Sequence, residues 1–397
     1  MYSIRPLLFL AAVSCASYGP LDFGDDRADL AAQVDDGSLR DLADPGPIVP
    51  KSVVAFGPPA FVRVGKLPLN LAVGDVNGDG KQDVVTADSG SGTLTILLND
   101  AHGSFRAPAK VSSGGTGPWG VVLADFNEDG KLDAAAANLT GATLGVAIGN
   151  GDGTFQTPMT SLSGKQPAGL AADDFDGDGH VDLAVTDKSL NTLTVLRGDG
   201  SGKFAVLTTY PLTGMSPMGV TAAKQSSQAK SDLLVANYGS TNASLYLGNG
   251  HGTFASAGDM ATSRSPIAVV SADLNFDRIP DLAISGESGM LDVLLAKGGG
   301  SFSEKVSYPV GKISQFVLAE DLNGDRIKDL AVTNSDSNSV SVLLGKGNGT
   351  FLPTQDFSTG GGAFGIGAVD INNDGLLDLV VSIASDGTVA VLLNKTQ

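Results

Sequence analysis

The sequence predicts an all-β chain folded as a seven-bladed β-propeller of four-stranded antiparallel blades, and three observations carry that prediction. A nine-residue polar loop, mostly acidic, begins at residues 75, 125, 174, 224, 273, 321 and 370, with steps of 50, 49, 50, 49, 48 and 49. A period that regular marks a repeat architecture. A glycine turn running into an aromatic follows six of the loops by roughly 30 residues, as in HGSF at 102, DGTF at 152 and HGTF at 251. The 53 glycines, with many Ser, Thr, Asn and Asp, favour short strands and tight turns over helices.

In chain order, Arg5 precedes the apolar run LLFLAAV at 7–13 and the small residues SCAS, so residues 1–16 read as an export signal. The run is too short to span a membrane. The single cysteine, Cys15, falls in this processing region, leaving the folded part without a disulfide. AVSC resembles a bacterial lipoprotein signal with Cys15 as the lipidated residue, although Ala12 stands where that signal usually has Leu; ordinary cleavage after Ala16 is the alternative. Residues 17–52, rich in Asp, Gly and Pro, read as a flexible acidic leader. With Cys15 lipidated, the leader becomes a tether and the only membrane attachment. The protein is expected to be secreted or held at the cell envelope, in the manner of an outer-membrane lipoprotein.

Residues 53–397 form the repeat domain. The first loop, DVNGDGKQD at 75–83, resembles a calcium loop because oxygen-bearing side chains alternate and a glycine stands sixth. An EF-hand would need Glu at position 12, which is Thr86, and flanking helices, whereas LNLAVG and DVVTAD read as strands. Each unit is therefore strand, metal loop, strand, polar turn, strand, glycine turn, strand. Four strands per 49 residues fit a propeller blade, since a solenoid coil needs a shorter period. The last unit, ending VAVLLNKTQ, lacks its fourth strand, while an orphan FGPPAFVRV stands at 56–64. This N-terminal strand is predicted to complete the last blade and hide an otherwise open edge.

Calcium takes six to eight oxygens, and a short loop supplies them from alternate positions. In the first loop these are Asp75, Asn77, Asp79 and Asp83, with the Lys81 carbonyl. The repeats resemble the FG-GAP or VCBS type, as in the integrin alpha-chain propeller and many bacterial exported proteins. That resemblance implies the same ligand roles for Asp125, Asn127, Asp129 and Asp133, for Asp174, Asp176, Asp178 and Asp182, and for Asp370, Asn372, Asp374 and Asp378. Two further loops keep their oxygens, Asp273, Asn275, Asp277, Asp281 and Asp321, Asn323, Asp325, Asp329. In these, Arg278 and Arg326 replace the sixth-position glycine, where a positive φ strains a side chain and weaker calcium binding is expected. The fourth copy, KQSSQAKSD, retains only Asp232, with Lys224 or Lys230 offered as a stand-in for the cation. About six Ca²⁺ (Ca2+) sites result, with a structural role. If filled, they bring the net charge of −18 to about −6.

The acidic balance, with no clustered Lys or Arg, excludes nucleic acid as partner. The loops opposite the metals are the expected binding surface for a glycan or protein. Trp119, Asn138, Asp187, Asn237, Tyr238 and Asn334 are its candidate ligand-binding residues. His102, His180 and His251 lie in the Gly-rich turns and loops of the metal side, with no nucleophile constellation, so catalytic residues are not assigned. The expectation is a monomeric adhesion or recognition module; the alternative is a carbohydrate-active, lyase-like enzyme acting on the face opposite the calcium loops.

Overall fold

The computed structural model describes residues 51–162, 164–225 and 230–396. The signal segment, Cys15 and the leader to residue 50 lie outside the described residues. The described residues contain no helix and build seven four-stranded antiparallel sheets arranged as a seven-bladed propeller. In the first blade the strands run Pro68–Gly74, Asp83–Asp88, Thr93–Leu97 and Ala109–Ser112, from the axis outward. The innermost strands touch in a closed cycle, with Ala363–Val369 of the seventh blade back against Pro68–Gly74 of the first.

The predicted closure is found. Ala60–Arg63 pairs antiparallel with Thr388–Leu392, with Ala60 opposite Val391, and Phe56 bridges Asn394. The last blade thus joins the first and last strands of the described residues, and Val54 is buried in the core between blades.

Burial follows strand position. The second strands, such as Asp133–Asn138 (DAAAAN) and Asp182–Asp187 (DLAVTD), are buried throughout, while outermost strands alternate or lie open. Apolar clusters join neighbouring blades: Phe175, Val195, Leu233, Val235 and Phe254 belong to one such layer between the third and fourth. Each buried Val, Leu or Phe contributes about 1.5–3 kcal/mol, so the inter-blade layers hold the ring closed.

Five innermost strands begin with proline, where a missing N–H is tolerated, and the ladder shifts register just after it. In three of the five, glycine stands two residues after the proline, where the next blade presses in. A Cβ on Gly120 would stand 2.5 Å from the Ala168 carbonyl oxygen, and one on Gly169 would stand 2.3 Å from that of Met218.

Candidate metal loops and the opposite face

The loop between the first and second strand of each blade is shaped by its own carboxylates. In the first loop Asp75 accepts hydrogen bonds from the backbone N–H groups of Gly78 (2.7 Å) and Gly80 (2.8 Å), and Asn77 Oδ1 accepts that of Asp79 (2.8 Å). The loop beginning at Asp125 repeats the pattern, Gly130 N–H reaching Asp125 at 2.8 Å, and so does the last, Gly375 N–H reaching Asp370 at 2.9 Å. The side chains at positions 1 and 3 thereby fix the turn of the loop. In the third loop, carboxylate oxygens of Asp174, Asp176 and Asp182 lie within 4.8 Å of one another. That spacing and an all-oxygen donor set fit a hard divalent cation such as calcium. Arg197 offsets the concentrated charge, with Nε 2.9 Å from Asp176 and a terminal nitrogen 2.5 Å from Asp178.

Arg278 and Arg326 do adopt the left-handed backbone, with φ of 67° and 68°. Their N–H groups still reach Asp273 (2.9 Å) and Asp321 (2.6 Å), so the loop shape survives the strain. Position 4 is also left-handed, at Glu128, Phe276 and Asn373 as well as at glycines. The loop at Asp321 has one further contact. Lys51 donates its backbone N–H to Asp325 (2.7 Å) and its ammonium to the Asn323 carbonyl (2.9 Å), which seats the end of the leader on this loop.

The ninth position does a second task that the spacing did not announce. Asp83, Asp133, Asp182, Asp232, Asp281, Asp329 and Asp378 are all 0% exposed. Each accepts one backbone N–H from the second residue of its loop and another from the end of the third strand, either its last residue or the residue two beyond it. For Asp83 these donors are Val76 (3.1 Å) and Asn99 (2.8 Å), and for Asp329 Leu322 (3.0 Å) and Gly345 (2.8 Å). The degenerate loop keeps the arrangement: Asp232 accepts from Gln225 and Gly248, both at 2.8 Å. Burial raises the pKa of Asp173, and the Ser231 hydroxyl and the charge of Lys224 oppose the rise. Burial pushes Asp83 and Asp329 up to about 7, and Asp133, Asp182 and Asp281 up to about 6, with neighbouring loop carboxylates adding to the rise.

The glycine turns lie on the same face and lock onto the preceding blade. Gly153 donates its N–H to the Val76 carbonyl (3.1 Å), Gly202 to Phe126 (2.9 Å), Gly252 to Phe175 (2.9 Å) and Gly349 to Leu274 (2.9 Å). The aromatic of the turn packs beneath, Phe204 edge-on to Phe126 at 5.3 Å and Phe254 to Phe175 at 5.7 Å. Each loop therefore anchors its own blade and the next. Where the fourth loop has degenerated, the Gln225 side chain crosses instead, donating to Ser271 Oγ (3.1 Å) and the Pro280 carbonyl (2.7 Å).

On the opposite face four of the six candidate residues are corrected by their burial. Asn138, Asp187, Asn237 and Asn334 end second strands and are 0–3% exposed. Asn138 exchanges hydrogen bonds with Ser113, and Asp187 accepts four backbone N–H groups from the adjoining link and turn. Asn237 and Asn334 donate to Ser244 and Ser341, both at 2.9 Å. They brace the links; they do not face solvent, because a short polar side chain at a strand end fits beneath a glycine of the link. Trp119 and Tyr238 are half-buried at this face. Tyr238 donates to Glu287 (2.9 Å), and Lys188 lies 5.4 Å over its ring.

With this geometry the comparisons agree. The FG-GAP-like repeat family matches residues 75–136, 174–224, 229–284 and 321–381, more than half of the chain, and the chain belongs to that family. Among solved structures, BBS1N in complex with ARL6DN is similar at 12% identity and a TM-score of 0.59, covering 86% of this chain and 97% of the other. Virginiamycin B lyase from Staphylococcus aureus is similar at 12% identity and 0.57, covering 85% and 99%. The WD40 propeller domain of Doa1 gives 12% and 0.57, covering 86% and 97%. At such identities the likeness is one of fold. No curated protein matches the chain.

Proposed function

We propose that this FG-GAP-like propeller is a calcium-stabilised recognition module. Its loop face holds about six structural Ca²⁺ ions, and its opposite face takes a glycan or protein outside the cell. The fold supports a binding module in general. The observation that carries the calcium reading is the convergence of Asp174, Asp176 and Asp182 oxygens within 4.8 Å, in a loop design repeated around the ring.

Bound calcium would neutralise carboxylates that the fold crowds together and would stiffen loops on which the next blade's glycine turn is hydrogen-bonded. At extracellular calcium concentrations, sites of about 10⁻⁴ to 10⁻³ M affinity fill, which agrees with the export signal read at residues 1–16. Attachment through lipidated Cys15 would tether the propeller at the envelope as a monomer. Nothing specific favours the enzyme alternative: His180 is engaged with Glu128 on the loop face, and His102 and His251 sit in glycine turns of that same face.

The test is calorimetric calcium titration of residues 51–397 combined with melting in calcium and in chelator. About six bound ions and a lower melting temperature in chelator are expected. Absence of binding with unchanged melting would refute the calcium reading.

A further inference from the structure

The links that lead into the innermost strands repeat one position around the axis. The residue two places before each innermost strand is Lys66, Thr116, Lys165, Met215, Arg264, Lys312 and Gly361. These positions are equivalent in the fold as well as in register. The carbonyls of Lys66, Thr116, Met215 and Lys312 each accept an N–H from the neighbouring polar turn, at Gly90, Gly141, Gly239 and Asp336. Four of the seven are cationic, all four are exposed, and none is acidic.

In a chain of net charge −18 this distribution is unusual. Acidic side chains crowd the loop face, whereas the accessible turns and links of the opposite face carry Lys66, Lys165, Lys188, Arg264 and Lys312 against Glu287, Asp336 and Asp386. The carboxylates of Asp88 and Asp187 lie beneath this surface, buried and hydrogen-bonded. Cations at four of the seven equivalent link positions, with Trp119 and Tyr238 half-buried at the same face, fit an extended polymer that carries charge at intervals. Aromatic faces suit sugar rings, and long flexible cations suit carboxylates.

We propose that this cationic ring binds an acidic, uronate-bearing polysaccharide. The inference rests on the reading of the opposite face as the binding surface, and it names the ligand class.

The experiment measures binding of a fluorescent short oligogalacturonate by anisotropy, in calcium too dilute to gel it, with a neutral oligosaccharide of equal length as reference. The ring variant combines Lys66→Gln, Lys165→Gln, Arg264→Gln and Lys312→Gln. A control variant makes the same charge change on the loop face with Lys203→Gln, Lys297→Gln, Lys346→Gln and Lys395→Gln. The wild-type chain should bind the acidic sugar, lose about tenfold or more in affinity as salt rises to about 0.5 M, and bind the neutral sugar far more weakly. The ring variant should lose about tenfold or more, and the control variant about twofold or less.

Failure of the wild type to bind overturns the proposal, as does full binding by the ring variant, which would place the sugar on loop-bound calcium. Equal binding of poly-glutamate would move the ring to a protein partner and overturn the polysaccharide assignment. Binding of the neutral sugar, unchanged in the ring variant, would overturn the ring while leaving the opposite face as the binding surface.

Discussion

The third and fourth loops are neighbours in the ring and differ in nearly every side chain. DFDGDGHVD supplies four carboxylates, and KQSSQAKSD supplies one. Yet Asp182 and Asp232 are equally buried and make equivalent bonds, to Phe175 (3.0 Å) and Gly198 (2.8 Å) in one blade and to Gln225 and Gly248 (both 2.8 Å) in the other. The comparison separates two roles that the intact loops superimpose. Positions 1, 3 and 5 add oxygens to the proposed cation site, which also draws on position 9 in the third loop, and the fourth blade keeps its strands without a carboxylate at any of the three. Position 9 holds the second strand to the loop and to the end of the third strand, and no blade lacks it.

The broadest way to break the comparison is to remove the proposed calcium. A ligand at about 100 times its dissociation constant stabilises a fold by about 2.7 kcal/mol per site, so chelation should cost more than ~5 kcal/mol across the ring, seen as a lowered denaturation midpoint. Should chelation leave that midpoint unmoved, the two loops would be equivalent after all.

Next in size are the buried carboxylates. Asp182→Ala and Asp232→Ala each orphan two buried N–H groups, and each should cost about 3 kcal/mol in urea melts. The Asp232 loss should be the same with or without calcium. Asp174→Ala should instead cost about 2–3 kcal/mol more in calcium than in chelator, where only its bonds to the Gly177 and Gly179 N–H groups are lost. A calcium-dependent effect at Asp232 would contradict the division of roles.

The pH response sharpens it further. Burial raises the carboxyls of Asp83 and Asp329 to about 7, and of Asp133, Asp182 and Asp281 to about 6, from 3.8. An acid with a raised pKa in the folded state holds its proton more tightly when folded. Its stabilising contribution is complete below pH 3.8 and is lost as pH rises through 6 to 7. In chelator, stability from these groups should therefore fall between pH 4 and 7, whereas bound calcium, by favouring the charged carboxylates, should flatten the fall. Denaturation midpoints across that pH range, with and without calcium, measure the difference.

The smallest effect concerns strain. Arg278→Gly at φ 67° should stabilise the metal-free fold by about 0.5–1 kcal/mol and tighten calcium at that loop, measured by chemical denaturation and titration. A destabilised variant would show that the Arg278 side chain contributes more than its backbone costs.

Much of this was readable from the chain. The repeat period set the blade number, and the orphan FGPPAFVRV identified the closing strand that pairs with Thr388–Leu392. Positive φ at Arg278 and Arg326 followed from the loop register. The bracing role of the ninth-position carboxylate was not legible as such, although retention of Asp232 in an otherwise eroded loop was the available signal. Its partners, sixteen residues away at Gly248 and seven at Gln225, meet only when three strands pack. Asn138, Asp187, Asn237 and Asn334 misled because a polar residue beside a turn reads the same whether it points to solvent or beneath a link. Burial separates the two, and burial is a property of the neighbouring segment. The cationic positions at Lys66, Lys165, Arg264 and Lys312 were present in the register, but they look scattered until the links are laid around one axis.

The sequence by itself determined the repeat, the strand pattern and the oxygens each loop can offer, because turn chemistry and alternation act within a few residues. Only the tertiary structure decided which carboxylates are buried, which turns anchor the next blade and which side chains share a face. Those properties arise between segments about 50 residues apart, where closing the ring sets the distances.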